Sequence, residues 1–224
     1  MSLLGTAAVT IWHNVRPQVR ADYFEWHNRE HMPERVGIPG FLRGRRYAAL
    51  DGDPEFCTLY EAESLAVLTG AEYTARLDHP TPWTRRVAAD LHGNVRSLCR
   101  VALSLGAGQG GLMMNWRYDV TFGKEDAHRT LVEAQLRLLT QRPQIVGAHL
   151  CLGDSAASSV QTAEKKTRPI KALTPNWVVM VEGGGERMAL EKACSELLPT
   201  AMLMDGGAID LACGLYQLQF ERKA

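Results

Sequence analysis

Hydrophobic and polar positions alternate in several short stretches of the chain, and longer stretches between them have helical spacing. The predicted strands of the first part are residues 6–14, 39–50, 56–64 and 94–105, and the predicted helices are about 18–32, 64–77 and 82–91. A Pro-Gly turn begins the second strand, and "DGDP" separates it from the third. The resulting order is strand, helix, strand, strand, helix, strand.

The same order returns further along the chain. Here the predicted strands are 112–122, 143–153, 176–183 and 209–221, and the predicted helices are about 124–140 and 186–198. Trp12 and Trp116 lie 104 residues apart in matching strands, as do Pro39 and Pro143 at matching strand starts. These coincidences at one spacing indicate a duplication, with one repeat at 1–105 and the other at 112–224. The linker at 106–111, "GAGQGG", is flexible by composition.

A β-α-β-β-α-β unit is typical of a ferredoxin-like α+β fold, whose helices cover one face of an antiparallel sheet. Because the other face must also be buried, we expect the two repeats to pair sheet to sheet into a barrel within one chain. "CTLYE" and "VVMVE" are 121 rather than 104 residues apart, which leaves 17 additional residues in the second repeat. We place them in a polar insertion loop at 155–173, either a lid over a site or a surface loop.

The segment "FEWHNREHMPERVGIPGFLRGRRYAALDGDPEFCTLYEAES" resembles the EthD-like branch of the dimeric α/β-barrel superfamily. The resemblance rests on Trp-His before His-x-Pro, then Pro-Gly-Phe, an Arg-Tyr strand and a Leu-Tyr-Glu strand, and it covers residues 6–105. The second repeat shares the order of elements without these motifs. The superfamily includes cofactor-free monooxygenases, lactone isomerases, polyketide cyclases and decarboxylases, haem enzymes and stress-responsive proteins. The resemblance therefore implies a fold and leaves the activity open.

"EWHNREHMPE" contains an H-x-x-E-H pattern, with His27 and His31 on one helical face. A catalytic zinc site needs a third protein ligand, which no spacing identifies, and Pro33 ends the helix just after His31. We therefore predict no metal site. At a spacing of 104, this segment corresponds to an ordinary amphipathic helix without histidine at these positions: Trp26, His27, Glu30 and His31 match Thr130, Leu131, Ala134 and Gln135. This asymmetry favours one site in the first repeat, although drift with an exposed His27 would give the same pattern.

Histidine suits general acid–base chemistry near neutral pH, so His31 is the predicted acid–base residue. Arg45 is predicted to stabilise negative charge, and Tyr60 to donate to a developing oxyanion. The competing interpretations are that the arginines of this strand lie at an exposed strand end or pair with acidic residues, and that Tyr60 only packs as a strand aromatic. The predicted substrate-binding residues are Trp12, Trp26, His27, Tyr47, Trp83, Trp116 and His149, of which His149 lies 104 residues after Arg45.

Composition excludes several classes of protein. The chain has 25 basic and 25 acidic residues, so no basic excess points to nucleic acid or to a membrane surface. No apolar run is long enough to span a membrane, and the N-terminal sequence does not resemble a signal peptide. Five cysteines without a CxxC pair indicate free thiols in a reducing cytoplasm.

The leading hypothesis is a cofactor-independent enzyme acting on a hydrophobic carbonyl, aromatic or polyketide-like metabolite. The reaction would be enolisation, cyclisation, decarboxylation or oxygenation. One alternative is a non-catalytic ligand-binding or stress-responsive protein, and a second is a haem-binding barrel with a histidine ligand. Beyond the internal pairing of repeats, a homodimer is one possible assembly, and the sequence leaves the oligomeric state open.

Overall fold

The computed structural model describes residues 3–159, 163 and 174–224. Most of the predicted insertion loop at 155–173 lies outside the described residues. All eight predicted strands are present: Ala7–Val15 (β1), Phe41–Asp51 (β2), Phe56–Ala62 (β3), Leu91–Gly106 (β4), Leu112–Val120 (β5), Ile145–Gly153 (β6), Trp177–Gly183 (β7) and Ala208–Lys223 (β8). We call β1–β4 with their helices the first half, and β5–β8 with theirs the second half.

Most of the helices also follow the prediction. They are Arg20–Trp26 (α1), Met32–Val36 (α2), Leu65–Thr69 (α3), Ala71–Asp78 (α4), Pro82–Ala88 (α5), Glu125–Leu139 (α6), Ser155–Ser159 (α7), Arg187–Leu197 (α8) and Thr200–Asp205 (α9). Helix α9 was not predicted, and α7 lies in the segment that was predicted to be a loop. The first helix was predicted to be regular and to end at Pro33. Instead, a π turn at His27–His31 joins α1 to α2, and helical structure continues to Val36. Pro33 has no N–H for an α-helical bond, so a local departure from α-helical bonding beside it is expected.

The strands form one closed antiparallel barrel in the order β1-β3-β2-β8-β5-β7-β6-β4. The first half contributes β4-β1-β3-β2 and the second half β8-β5-β7-β6, joined by β2 with β8 and by β4 with β6. Closure pairs every strand on both sides and leaves no open sheet edge. This is the dimeric α/β-barrel fold with both ferredoxin-like units in one chain, as predicted. No helix in the ranges that the structure describes could cross a membrane.

Strand register gives the correspondence between the halves residue by residue. Ala7 pairs with Ala62 in the first half, and Leu112 pairs with Gly183 in the second. Ala7 and Leu112 are therefore equivalent, and β1 and β5 are offset by 105 residues. Arg45 pairs with Leu59 as His149 pairs with Met180, so β2 and β6 are offset by 104 and His149 occupies the position of Arg45.

The match between the two tryptophans is wrong by one residue. At the offset of 105, Trp12 corresponds to Arg117, and Trp116 corresponds to Ile11. Because strand side chains alternate between faces, this slip places the tryptophans on opposite faces of the barrel wall. Trp12 lies in the interior, and Trp116 packs under the helices of the second half. They cannot form a shared aromatic wall for a flat ligand.

Side chains fill the interior of the barrel, which contains an apolar cluster with Trp12, Tyr47, Met113 and Tyr216 among its members. Outside the barrel, the two halves differ. The helix–sheet interface of the second half is one continuous apolar cluster. That of the first half is two separate clusters, one around Met32 and Tyr60 and the other around Tyr23 and Trp26. The residues between these two clusters are polar.

Candidate functional site

A network of buried ion pairs occupies one end of the barrel interior. Arg45 donates to both carboxylate oxygens of Glu182, at 2.9 and 3.1 Å, and contacts Glu61 at 2.9 Å. Arg43 makes a two-pronged contact with Glu61 at 2.9 and 2.8 Å. Since Arg45 belongs to the first half and Glu182 to the second, this network fastens the halves together.

Two backbone segments close the same end of the barrel. The N–H of Leu4 donates to Glu61 at 2.6 Å, and the N–H of Gly110, in the glycine-rich linker, donates to Glu182 at 2.9 Å. Burial alone would raise the pKa of Glu182, but His149 and Arg45 outweigh it and hold that pKa at about 2. Arg45 is therefore an enclosed, neutralised cation, and its geometry favours a structural role.

The second group of buried polar residues lies on the outer face of the first half-sheet, beneath α1 and the π turn. We call it the polar layer, and its members are almost completely buried: His27 2%, His31 7%, Arg46 3%, Thr58 2% and Arg96 7% exposed. Arg46 pairs with Thr58 on neighbouring strands, and Ile11 separates Thr58 from Arg96 in the same row of the sheet. These residues fill the gap between the two apolar clusters of the first half.

The corresponding positions of the second half carry no polar layer. By strand register, Arg46, Thr58 and Arg96 correspond to Leu150, Val179 and Cys213. For the helices, an equivalent hydrogen bond in each half fixes the correspondence. His13 bonds to Tyr23 in the first half and Tyr118 bonds to His128 in the second, each at 3.1 Å, so His13 matches Tyr118 and Tyr23 matches His128.

The offset of 105 given by that hydrogen bond places Val132 and Leu136, both fully buried, where the first half has His27 and His31. All five positions of the polar layer are thus occupied by Val, Leu or Cys in the second half. The offset falls to 104 by β2, so the first half has one residue more between α1 and β2. A π turn accommodates an additional residue of this kind, and such turns are frequent at functional sites.

His27 is held in a defined state by Arg46. The guanidinium Nη1 donates to Nδ1 of His27 at 3.2 Å and to the side chain of Asn28 at 2.8 Å. Because arginine has no acceptor, Nδ1 must be unprotonated and the neutral ring carries its proton on Nε2. Burial, followed by the neighbouring His31 and Arg46, lowers the pKa of His27 well below its usual value. His27 is therefore neutral at neutral pH.

His31 lies between aromatic rings, with its centroid 4.3 Å from Trp26 and 5.6 Å from His27. Helix α5 covers this arrangement. The indole of Trp26 donates to Thr84 at 3.1 Å, and Thr81 at the N-terminus of α5 donates to Glu30 of the π turn.

Within the described part of the chain, the arginines of the polar layer have no carboxylate partner. Arg46 bonds to His27, Asn28 and Gln219, and Arg96 bonds to the hydroxyl of Tyr73 at 3.1 Å. Among the residues that the structure describes, neither forms an ion pair, in contrast to Arg43 and Arg45. A buried cation without a counter-charge favours a ligand that carries or develops negative charge.

The predicted catalytic trio does not assemble. His31 and Tyr60 lie on the outer face, whereas Arg45 points into the barrel and is separated from them by the sheet. Of the predicted binding residues, Trp26 and His27 lie with His31; Trp12, Tyr47 and His149 lie inside the barrel; Trp116 lies in the apolar interface of the second half. Trp83, half-buried at the start of α5, donates to Asp22 at 2.9 Å.

Sequence reasoning missed Arg46, Thr58 and Arg96 as members of the site. The signal was present, because strand alternation separates Arg46 from Arg45, but nothing in the sequence indicates which face of β2 points outward. A comparison of the halves at the offset of 105 would have identified His27 and His31 as replacements of buried aliphatic residues.

The strand order and the paired ferredoxin-like units are those of a dimeric α/β-barrel protein, and similar folds occur among solved structures. An anthrone oxidase-like protein matches with a TM-score of 0.68 and 12% identity, over 97% of this chain and 92% of that one. A candidate monooxygenase from Fusobacterium nucleatum matches with a TM-score of 0.63 and 6% identity, over 99% and 96%.

A candidate monooxygenase from Lactobacillus acidophilus matches with a TM-score of 0.59 and 10% identity, over 97% and 96% of the two chains. No family model and no curated protein matches this sequence. At these identities the likeness concerns the fold, and it extends over nearly the whole of each chain.

Proposed function

We propose that this chain is a small-molecule enzyme whose site is the polar layer of the first half, and that it oxidises a carbonyl-bearing aromatic compound without a cofactor. The observation that carries the proposal is the replacement of five apolar positions by His27, His31, Arg46, Thr58 and Arg96 in one half only. The second half demonstrates that aliphatic side chains pack the same interface.

Energetics support a functional reason for these residues. Burying polar and charged groups costs free energy relative to well-packed hydrophobic residues. The fold does not require that cost, since Val132, Leu136, Leu150 and Val179 fill the equivalent places. Residues that oppose local packing in this way tend to concentrate at sites of function.

The proposed chemistry begins with proton removal. His31 takes a proton from a carbon activated by the neighbouring carbonyl, and Arg46 stabilises the enolate oxygen that forms. Arg46 thus has the role that the sequence suggested for Arg45, because it lies on the same face as the histidines. Tyr60, on that face opposite Gly44, is the proposed contact to the aromatic ring system.

Oxygen completes the reaction. The enolate passes electrons to O₂ and forms a carbon–oxygen bond, and the protonated peroxide then loses water as its O–O bond breaks. The net change converts a CH₂ group and O₂ into a carbonyl group and H₂O. The name of the anthrone oxidase-like neighbour supports an anthrone as the first substrate to test.

The test is oxygen uptake and product absorbance with anthrone and with a panel of related polycyclic phenols. We compare wild type with His31→Leu and His27→Val, which introduce the residues of the second half. His92→Gln, at an exposed position, is the control. We expect loss of turnover by at least about 100-fold in His31→Leu, the usual scale for a general base, and none in the control. Undiminished turnover in His31→Leu would remove His31 from the mechanism.

The same samples distinguish the alternatives. Thermal stabilisation by the panel compounds without turnover would replace the enzyme with a non-catalytic ligand-binding protein. A Soret band that forms on titration with haem and is lost in His31→Leu would replace it with a haem-binding barrel.

A further inference from the structure

A second polar site in the barrel interior lies towards the β2–β3 turn and borders on the Arg45 network, because the guanidinium of Arg45 lies 5.6 Å from the centre of the Tyr47 ring. Four buried polar atoms there have no hydrogen-bond partner within the described ranges: Nε1 of Trp12, the hydroxyl of Tyr47, Oδ1 of Asn115 and Nη1 of Arg117. The first three side chains are fully buried and Arg117 is 7% exposed. Buried polar atoms are nearly always satisfied in folded proteins, so four in one place require an explanation.

These four side chains converge on Cys57. Cys57 pairs with Trp12 on one neighbouring strand and with Tyr47 on the other. Asn115 reaches across the interior to place Nδ2 3.8 Å from the sulfur of Cys57. The guanidinium of Arg117 lies 5.3 Å from the centre of the Trp12 ring. The β2–β3 turn closes this end, because Arg117 donates to the carbonyl of Asp53 and Tyr216 to that of Pro54.

The charge of the interior is unbalanced at this end. Arg43, Arg45 and Arg117 are buried in the barrel, whereas the fully buried carboxylates among the described residues are Glu61 and Glu182, both engaged with the first two arginines. One positive charge therefore remains, on Arg117. The carboxylate of Asp53 is turned to Asn14 at the exposed surface, and Glu221 is paired with Lys223. An uncompensated buried charge is strongly destabilising.

The chemistry of the four groups specifies what would satisfy them. Tryptophan and arginine side chains only donate, a tyrosine hydroxyl can donate, and an asparagine amide can present its NH₂ group after a flip. Four hydrogen-bond donors around one positive charge fit a ligand that accepts hydrogen bonds from every direction. Aromatic rings and Cys57 surround the position, so it must be small.

We propose that the barrel interior binds one small monovalent anion of the halide class between Trp12, Tyr47, Asn115 and Arg117. The anion neutralises Arg117 and completes the hydrogen bonding of the interior. The site is separate from the polar layer, and its existence does not depend on the proposed enzymatic function.

The test compares thermal unfolding in sodium bromide and sodium gluconate at constant ionic strength. For a resident anion, Tm rises with the logarithm of bromide concentration in wild type. Tyr47→Phe removes one hydroxyl and is expected to weaken the apparent Kd about tenfold, the scale of one hydrogen bond. Tyr118→Phe, which removes a buried hydroxyl from the second half, is the matched control and should keep the wild-type Kd.

Anomalous diffraction from crystals grown with bromide locates the ion independently of any variant. A peak within hydrogen-bond distance of Arg117 and Tyr47, together with bromide-dependent Tm, supports the proposal. Equal Tm in the two salts overturns it, as does density for water alone at this position. A bromide peak without stabilisation in solution means an adventitious ion only, and it also overturns the proposal.

Discussion

Replacement of Glu182 by glutamine tests whether the interior network holds the two halves together. The carboxylate accepts from Arg45 at 2.9 and 3.1 Å and from the backbone of Gly110 at 2.9 Å. Glutamine keeps the shape and one carbonyl acceptor but removes the charge. Arg45 is then left with Glu61 alone, which it shares with Arg43.

Two independent arguments give the same magnitude. Removing one partner of a buried ion pair costs about 3–5 kcal/mol, and the acceptor retained by glutamine favours the lower end. The pKa of Glu182, about 2 in the folded chain against a reference of 4.5, corresponds to about 3 kcal/mol. In a domain of this size such a loss lowers Tm by roughly 6–12 °C.

The pH dependence has a definite sign. Because folding lowers the pKa of Glu182, the stabilisation is fully present above pH 4.5 and is lost as the pH falls towards 2. Glutamine does not titrate, so the difference in unfolding free energy between wild type and Glu182→Gln should be largest at pH 7 and should shrink by pH 3.

The assay is urea unfolding followed by tryptophan fluorescence at both pH values. Glu191→Gln, which removes the exposed pair with Arg187 at 2.9 Å, is the control and should change stability by less than about 0.5 kcal/mol. A Glu182→Gln variant within about 0.5 kcal/mol of wild type at pH 7 would refute the reasoning. A large difference that persists unchanged at pH 3 would refute the electrostatic part of it.

Three further predictions concern the polar layer and its support. In Gly44→Ala the new Cβ would overlap the sulfur of Met32 and lie 3.0 Å from the ring of Tyr60. We therefore expect the free energy of unfolding, measured in urea, to fall by about 1–3 kcal/mol. An unchanged urea midpoint would mean that α2 shifts freely to make room. Thr58→Val removes a buried hydroxyl that has no partner among the described residues. This change should raise the free energy of unfolding by up to about 1–3 kcal/mol. A lower Tm would instead indicate that the hydroxyl binds a ligand or water. Folding lowers the pKa of His27, so protonation of His27 in the unfolded chain destabilises the fold as pH drops below about 6.5. Between pH 7.5 and 5, the Tm of wild type should therefore fall more steeply than the Tm of His27→Val. Parallel curves of Tm against pH would contradict this.

The architecture could be predicted because it depends on patterns that the chain displays locally. Alternation identifies strands, and the repeated order of elements identifies two halves that must cover each other's open faces. The side chains of β2 illustrate the limit. Alternation groups Arg43, Arg45 and Tyr47 on one face and Arg46 on the other, but it does not say which face enters the barrel. That assignment follows from the closure of the sheet, which is a property of all eight strands.

The π turn explains the remaining error. A constant offset of 104 between the two halves was assumed for the first strand, the helix and β2, yet the offset is 105 in the first strand and helix and 104 only at β2. One additional residue at His27–His31 accounts for the difference. Hydrogen-bond shifts of this kind leave no clear mark in hydrophobic periodicity, so both the tryptophan match and the helix match were displaced by one position.

The internal duplication separates structural charge from functional charge within one molecule. Glu61 and Glu182 occupy equivalent positions in the two halves, and both neutralise arginines inside the barrel. That arrangement uses charge to hold the fold, so Arg43 and Arg45 have counter-charges from the chain itself. Arg46 and Arg96 differ on both counts, because neither forms an ion pair in the ranges that the structure describes and their equivalents are Leu150 and Cys213. Each of these arginines lacks both an equivalent cation in the other half and a carboxylate partner in the described ranges. A negatively charged ligand or intermediate explains such a buried cation better than packing does.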